Sequence, residues 1–172
     1  MDNPIETIAE GKFLRLVRRG RWEYVERRGV NGVVIIVPFL DDGRLLFIEQ
    51  FRTAVNSLCI EFPAGLSGDS TDAADELLTT AAGRELVEET GYEAAEMQFL
   101  GTAVPSAGLT SETMSFFAAR GLRQVGAGGG VEHEQIINHL VPAADVRAWL
   151  AEQAKRAVIS GPVYSGLYLA GQ

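Results

Sequence analysis

Arg84-Glu85-Leu86-Val87-Glu88-Glu89-Thr90-Gly91-Tyr92 is the stretch on which the reading of this chain turns. No proline interrupts residues 72–90, and Leu77, Leu78, Ala81, Ala82, Leu86 and Val87 recur at helical spacing before Gly91, a residue suited to a helix C-cap. The spacing predicts a helix over 72–90. On it Glu85 and Glu89 stand one turn apart on the same face, with Glu88 beside them. Like charges at that spacing repel unless a cation lies between them. Oxygen ligands without Cys or His favour Mg²⁺ or Mn²⁺ over zinc. Arg84 can pair with Glu88 at i, i+4 and orient that carboxylate while the others face a metal. The plain alternative is a solvated acidic helix face.

Working outward, residues 33–40 and 45–50 are apolar runs of strand length joined by Asp41-Asp42-Gly43, a turn sequence. The second run delivers Glu49, Gln50 and Arg52 at its end. Upstream, residues 13–19 and 22–28 flank Gly20-Arg21 with alternating apolar positions, as in a hairpin, which predicts an N-terminal β arm. Downstream, further strands are expected at 97–104, 113–119 and 136–141, and a flexible loop at Gly126 to Gly130. Val146, Trp149, Leu150 and Ala154 make an apolar stripe on a second helix, and 163–170 reads as a short third. Strands wrapped around helices predict an α/β fold with a mixed sheet, a sandwich in one domain over 1–172, with 1–30 as the β arm.

Composition narrows the function. A chain of 172 residues, 47% apolar, is long enough for one substantial core and short enough for one domain. The formal net charge of −8 provides no field to gather a phosphate backbone, which argues against nucleic-acid binding. A small anionic substrate remains compatible, because a bound divalent cation inverts the local charge of a carboxylate cluster. Cys59 is the only cysteine, so no intrachain disulfide forms, and it is expected to pack as a small apolar residue. Residues 1–12 lack a basic head followed by an apolar stretch, and the longest apolar run, 33–37, is too short to span a bilayer. The expectation is a soluble, cytoplasmic protein without a membrane partner.

Taken in order, Glu76, Arg84, Glu85, Leu86, Glu88, Glu89, Gly91 and Tyr92 resemble the Nudix box, G-x5-E-x7-R-E-U-x-E-E-x-G-U, from its first glutamate onward. The glycine expected six positions before Glu76 is Ser70, and Pro63-Ala64-Gly65 stands further upstream, so an insertion is inferred within 66–75. The resemblance covers residues 22–169 and is greatest to the ADP-ribose pyrophosphatase and nucleotide-sugar branch, whose lead-in is similar to Glu49-Gln50-Phe51-Arg52 followed by Glu61-Phe62-Pro63-Ala64-Gly65. It implies the Nudix α/β/α sandwich, with the Ala64 carbonyl, Glu85 and Glu89 as metal ligands and Arg52 on the substrate. Arginine suits a diphosphate because its planar fork donates two parallel hydrogen bonds. A surface ion pair at a strand end is the plain alternative for Arg52.

Val131-Glu132-His133-Glu134-Gln135-Ile136 resembles the acidic catalytic loop of the same branch, making Glu132 the candidate general base and Glu134 a further metal ligand. Solvated loop charges are the alternative. Pro105-Ser106-Ala107-Gly108-Leu109-Thr110-Ser111-Glu112 resembles the branch's substrate loop, with Ala107 where a proline often marks ADP-ribose specificity and Glu112 as a candidate substrate contact. Trp22 and Tyr24 could stack on a base across a dimer interface, or be simple core. Arg27 and Arg28 are candidates of the same kind, with Arg28 chosen as the substrate contact. His133 and His139 lack zinc-ligand spacing.

The resemblance therefore implies Mg²⁺-dependent hydrolysis of a nucleoside diphosphate sugar, ADP-ribose foremost, to a nucleoside monophosphate and a sugar phosphate. Glu132, Glu88 and Arg84 form the catalytic set, Mn²⁺ is the possible substitute for Mg²⁺, and a homodimer is expected. Two alternatives stay open: another Nudix substrate (a nucleoside triphosphate, coenzyme A or a dinucleoside polyphosphate), or a catalytically silent nucleotide-binding module.

Overall fold

The computed structural model describes residues 3–68, 77–130 and 135–172. A continuous apolar run at the centre of the chain organises it. Strand β4 (Gly32–Pro38) is buried on both faces, which is why it reads as Val-Val-Ile-Ile-Val without alternation. Val34 and Ile36 meet Ala81, Ala82 and Leu86 of helix α1 (Leu78–Thr90) together with Phe117. On the opposite face Ile35 and Val37 join Phe47, Phe62 and Phe116, and Leu150 and Val163 close that core from two C-terminal helices, α2 (Val146–Gln153) and α3 (Gly161–Leu169).

Two four-stranded sheets carry this arrangement. In one, β4 pairs antiparallel with β7 (Ala64–Ser67) and parallel with β9 (Met114–Gln124), beyond which lies β8 (Tyr92–Ala103). The other runs β10 (Ile137–Pro142), β5 (Arg44–Arg52), β6 (Ser57–Glu61) and the short β11 (Val158–Ile159). The outcome is the mixed α/β sandwich expected from the element pattern.

The arm is a third sheet of three strands, β1 (Ile5–Glu10), β2 (Leu14–Arg19) and β3 (Trp22–Arg27). Arg19 faces Trp22 across a two-residue turn, and Gly20 there has φ of 62°, the positive value that such hairpin turns favour. β1 was not foreseen. All six of its residues are exposed, so no burial imposes a pattern, and only backbone pairing with β2 defines it. The arm is fastened to the body where the Val25 N–H donates to the Leu109 carbonyl at 2.8 Å and the Ser111 N–H to the Val25 carbonyl at 3.2 Å.

Two expectations need correction. The helix begins at Leu78, not at 72: Leu77 is an extended N-cap, 73% exposed, and 72–76 lie outside the described residues. Apolar spacing marks a helix's buried face but not its first residue. Gly126 to Gly130 is also no free loop. Gly91 ends α1 at φ 76°, and the N–H groups of Gly126, Gly129 and Gly130 donate to the carbonyls of Gly91, Glu89 and Glu88 at 3.0, 2.8 and 3.1 Å. These bonds satisfy acceptors that a helix end leaves open. Cys59 is buried, as its apolar reading requires. Among the described residues no helix is long and apolar enough to cross a membrane.

The C-terminal helices are tied to β5 by a buried charge. The Glu49 carboxylate accepts both Arg156 Nη groups, at 2.8 and 2.7 Å, and lies 2.8 Å from His139 Nε2. Arg156 first, then His139, outweigh burial and hold Glu49 down from 4.5 to about 2. A depressed carboxyl stabilises the fold above its unfolded value and ceases to as pH falls through its folded one. Its contribution is on the order of 3 kcal/mol. Glu49→Gln should therefore lower the urea midpoint at pH 7, with the gap to wild type narrowing from about pH 4.5 downward; a gap unchanged at pH 3 would contradict this. In α1, Gly91→Ala should destabilise, because its Cβ would strike the Gly126 carbonyl and come 2.7 Å from Gly128 N. Gly83→Ala, which meets nothing within 4 Å, should stabilise by about 0.5–1 kcal/mol.

Candidate active site

The acidic residues of α1 crowd its last two turns, and its first turn carries none. That is the end at which the helix dipole is negative, so the peptide carbonyls and the carboxylates together attract a cation. Within the chain Arg84 answers part of this demand. Its Nη1 donates to Glu85 Oε1 at 2.8 Å and Glu88 Oε2 at 3.1 Å, and its Nη2 to the Leu66 carbonyl at 2.9 Å. The pairing of Arg84 with Glu88 is the one expected from spacing; the hold on Glu85 and β7 was not foreseen.

Strand β7 forms the shelf opposite. The Ala64 N–H donates to Glu89 Oε2 at 3.0 Å, and Glu89 is 5% exposed, so a buried carboxylate is oriented by a peptide. Next along, Glu85 lies over Gly65 so closely that a Cβ built there would fall within the carboxyl group. The Pro63 carbonyl accepts the Ile36 N–H at 2.8 Å, which fixes the turn leading into the shelf. Among the described residues no three His, Cys, Asp or Glu side chains converge on a point that could hold a metal. Among the described residues Glu85, Glu89 and the β7 backbone offer oxygen donors there, the donor type that suits a hard cation which keeps several waters.

A cleft of about 360 Å³ opens over this shelf, and Ala64, Arg84, Glu85, Glu88 and Glu89 share its lining with Arg27, Arg52 and Glu112. Arg52 comes from the end of β5, and its Nε donates to Glu61 Oε2 at 2.8 Å. Arg27 comes from the end of β3, and its Nε donates to Glu112 Oε1 at 2.6 Å. A roomier apolar groove between α2 and α3, about 590 Å³, shares none of these residues. Its lining offers Arg147 as the one charged side chain and no Asp or Glu, whereas the clustered carboxylates line the smaller cleft.

The predicted site is thus only partly assembled. Ala64, Arg84, Glu85, Glu88, Glu89, Arg52 and Glu112 come together. Arg28 turns away: its Nη1 donates to the Gly11 carbonyl at 3.0 Å and pairs with Glu10 at 2.9 Å. Arg27, passed over in the sequence, takes the cleft position, and its signal was the strand end, where one residue faces the body and its neighbour does not. Trp22 is 53% exposed at the start of β3, near Gly108 of the substrate-like loop, and does not line the cleft. Glu76, Glu132 and Glu134 lie outside the described residues. Glu61 escaped sequence reasoning because its partner is set by the β5–β6 register, in which Arg52 faces Ser57 and not Glu61.

Comparison with known proteins places the family and the fold. Similar proteins include the ADP-ribose pyrophosphatase of Mycobacterium tuberculosis (strain ATCC 25618 / H37Rv), 32% identical over 81% of this chain and 62% of that one. The ADP-sugar pyrophosphatase of Mus musculus is 35% identical over 51% of this chain and 46% of its own. The methanol dehydrogenase activator of Bacillus methanolicus is 27% identical over 62% and 55%. The chain thus spans about half to three fifths of the length of the relatives it matches. A solved structure described as an ADP compounds hydrolase superposes with a TM-score of 0.74 over 99% of this chain and 91% of that one, at 24% identity, and shares the fold. The NUDIX domain matches residues 30–160, a span holding the carboxylate helix, its shelf, Arg52 and Glu112, and the chain belongs to that family.

Proposed function

We propose that this protein hydrolyses the diphosphate bridge of a nucleoside diphosphate sugar, ADP-ribose foremost, with Mg²⁺ as cofactor and Mn²⁺ as a possible substitute. The observation that carries the reading is one cleft holding a carboxylate helix on its floor and two arginines at its rim. Relatives named ADP-ribose pyrophosphatase and ADP-sugar pyrophosphatase support the substrate class.

Glu85 and Glu89, with the Ala64 peptide oxygen and Glu134, would hold the metal. The oxygen-only donors suit a hard cation, and the Glu85 carboxyl that lies where a Gly65 side chain would stand sets one of them against the β7 backbone. When bound, a divalent cation supplies charge neutralisation to the diphosphate oxygens. Arg84 holds Glu88, and both keep the helix face in register with β7. Arg52 and Arg27 receive the phosphates, and Trp22, outside its own cleft, offers an aromatic face for the base across a dimer interface. Glu132 takes a proton from the attacking water; one P–O bond forms, the bridging P–O bond breaks, and two phosphate monoesters leave. Ile5, Ile8, Phe13 and Trp22 leave large apolar surface exposed on the arm, which supports pairing of arms between two copies.

Phosphate-ester release from ADP-ribose, GDP-mannose, UDP-glucose, coenzyme A and dATP, with Mg²⁺ and with chelator, tests the class. Cleavage of nucleotide sugars that chelator abolishes is expected; inactivity toward all of them would remove the assignment. Glu85→Gln and Glu89→Gln should each lower turnover by about 10²-fold or more with the fold intact, since Gln at 89 can still accept the Ala64 N–H. Gly65→Ala should produce a similar loss by displacing Glu85. Sedimentation at monomer mass would refute the dimer.

A further inference from the structure

The two rim arginines are held in the same way. Each donates its Nε–H to a carboxylate behind it, Arg52 to Glu61 at 2.8 Å and Arg27 to Glu112 at 2.6 Å. Neither makes another hydrogen bond through its Nη groups to the described residues. Both carboxylates are largely covered, with side chains 14% and 20% exposed, whereas the arginines are 44% and 33% exposed. In the β5–β6 ladder Arg52 stands opposite Ser57, Gln50 opposite Cys59 and Ile48 opposite Glu61. The Arg52 side chain therefore leans back along the sheet, over the Gln50–Cys59 pair, to reach Glu61. The thiol of Cys59 registers this neighbourhood: burial first, then Glu61, raises it, and Arg52 lowers it.

A guanidinium has five N–H donors, one at Nε and four on the paired Nη nitrogens. A carboxylate that occupies only Nε fixes the plane of the group and leaves its end-on edge, two parallel donors, for a phosphate. We propose that Glu61 and Glu112 are positioning residues that clamp Arg52 and Arg27, so that two pre-oriented forks, one from the body and one from the arm, meet the two phosphates of the substrate. This rests on the diphosphate reading above. The benefit is entropic: a long side chain ordered before binding does not charge its rotamer freedom to the substrate. Arg27 and Glu112 also join β3 to the loop before β9, so the second fork is placed only when the arm is docked.

The sign of the effect separates positioning from simple charge. A carboxylate beside a diphosphate repels it, so neutralising Glu61 or Glu112 would tighten anion binding if Coulomb repulsion were its main role. Positioning requires the reverse. The experiment is isothermal titration of inorganic pyrophosphate with Mg²⁺, paired with KM and kcat for ADP-ribose. The proteins are wild type, Glu61→Ala, Glu61→Gln, Arg52→Ala and Glu61→Ala/Arg52→Ala, with the corresponding Arg27 and Glu112 set. Glu61→Ala should weaken pyrophosphate and raise KM by about tenfold, with kcat changed less than about threefold. In the Arg52→Ala background the same change should do almost nothing, because Glu61 acts through that arginine. Glu61→Gln, which keeps shape and an acceptor, should fall between. Tighter pyrophosphate binding, or an equal effect with and without Arg52, overturns the proposal. So does wild-type affinity no better than that of an Arg27→Ala/Arg52→Ala variant. If ADP-ribose is not cleaved, the functional assignment fails while the pyrophosphate titrations still read the clamps.

Discussion

The contact on which the site depends is the one between the last two turns of α1 and strand β7. Two residues of the strand do different work there. Ala64 presents its N–H to Glu89, so that a carboxylate almost without solvent still has a donor. Gly65 has no side chain, so that Glu85 can lie against the backbone. Arg84 completes the join by reaching the Leu66 carbonyl while holding Glu85 and Glu88. Three side chains and three consecutive residues of a strand thus fix the acidic face. The apolar contacts of Ala81, Ala82 and Leu86 with Val34 and Ile36 set the helix at the right height.

That join is electrostatically costly, and the surrounding structure responds to the cost. Carboxylates at the C-terminal end of a helix add to a negative dipole. The glycine-rich segment after β9 brings two peptide N–H groups to the Glu88 and Glu89 carbonyls, which lowers the negative potential without adding a side chain. Only glycine permits the approach, since Gly91 and Gly128 press so closely on each other that a Cβ on either would meet backbone. The segment leading toward Glu132 is therefore anchored on the C-terminal end of α1. The five residues from Gly126 to Gly130 suggest flexibility in the sequence because glycine content reports conformational freedom and not what the freedom is used for.

What the sequence made legible follows from what has a period or a fixed spacing. Residues 78–90 could be read as a helix and Glu85, Glu88 and Glu89 as a cluster, because positions three and four apart on a helix are neighbours whatever surrounds them. Strands β4 and β5 announced themselves by apolar runs. β1 did not, because none of its residues is buried, and β7 is four residues long behind a proline. The site contacts that escaped are those made between elements. Arg27 and Arg28 are equivalent in sequence, and only the end of β3 decides which of them faces Glu112 and which faces Glu10. Glu61 could not be tied to Arg52 without the register and lean of a long side chain.

For an acidic chain to bind an anion its positive charge must be concentrated, and here the concentration comes from geometry and not from number. With 15 basic residues against 23 acidic ones, a general attraction for phosphate is absent. Arg27, Arg52 and Arg84 line one cleft of about 360 Å³, and each is oriented by a carboxylate that would weaken it if charge alone mattered. A carboxylate bonded at Nε cancels part of the long-range field while leaving short-range donors in place. Such a cleft discriminates by shape: it gains from a ligand whose phosphate oxygens meet fixed donors, and little from an anion that merely has charge. The acidic floor adds a second condition, since a diphosphate approaches Glu85 and Glu89 favourably only when a cation lies between them. On the function proposed above, a metal-complexed diphosphate would be preferred over free phosphate, and Glu85 and Glu89 would supply that preference.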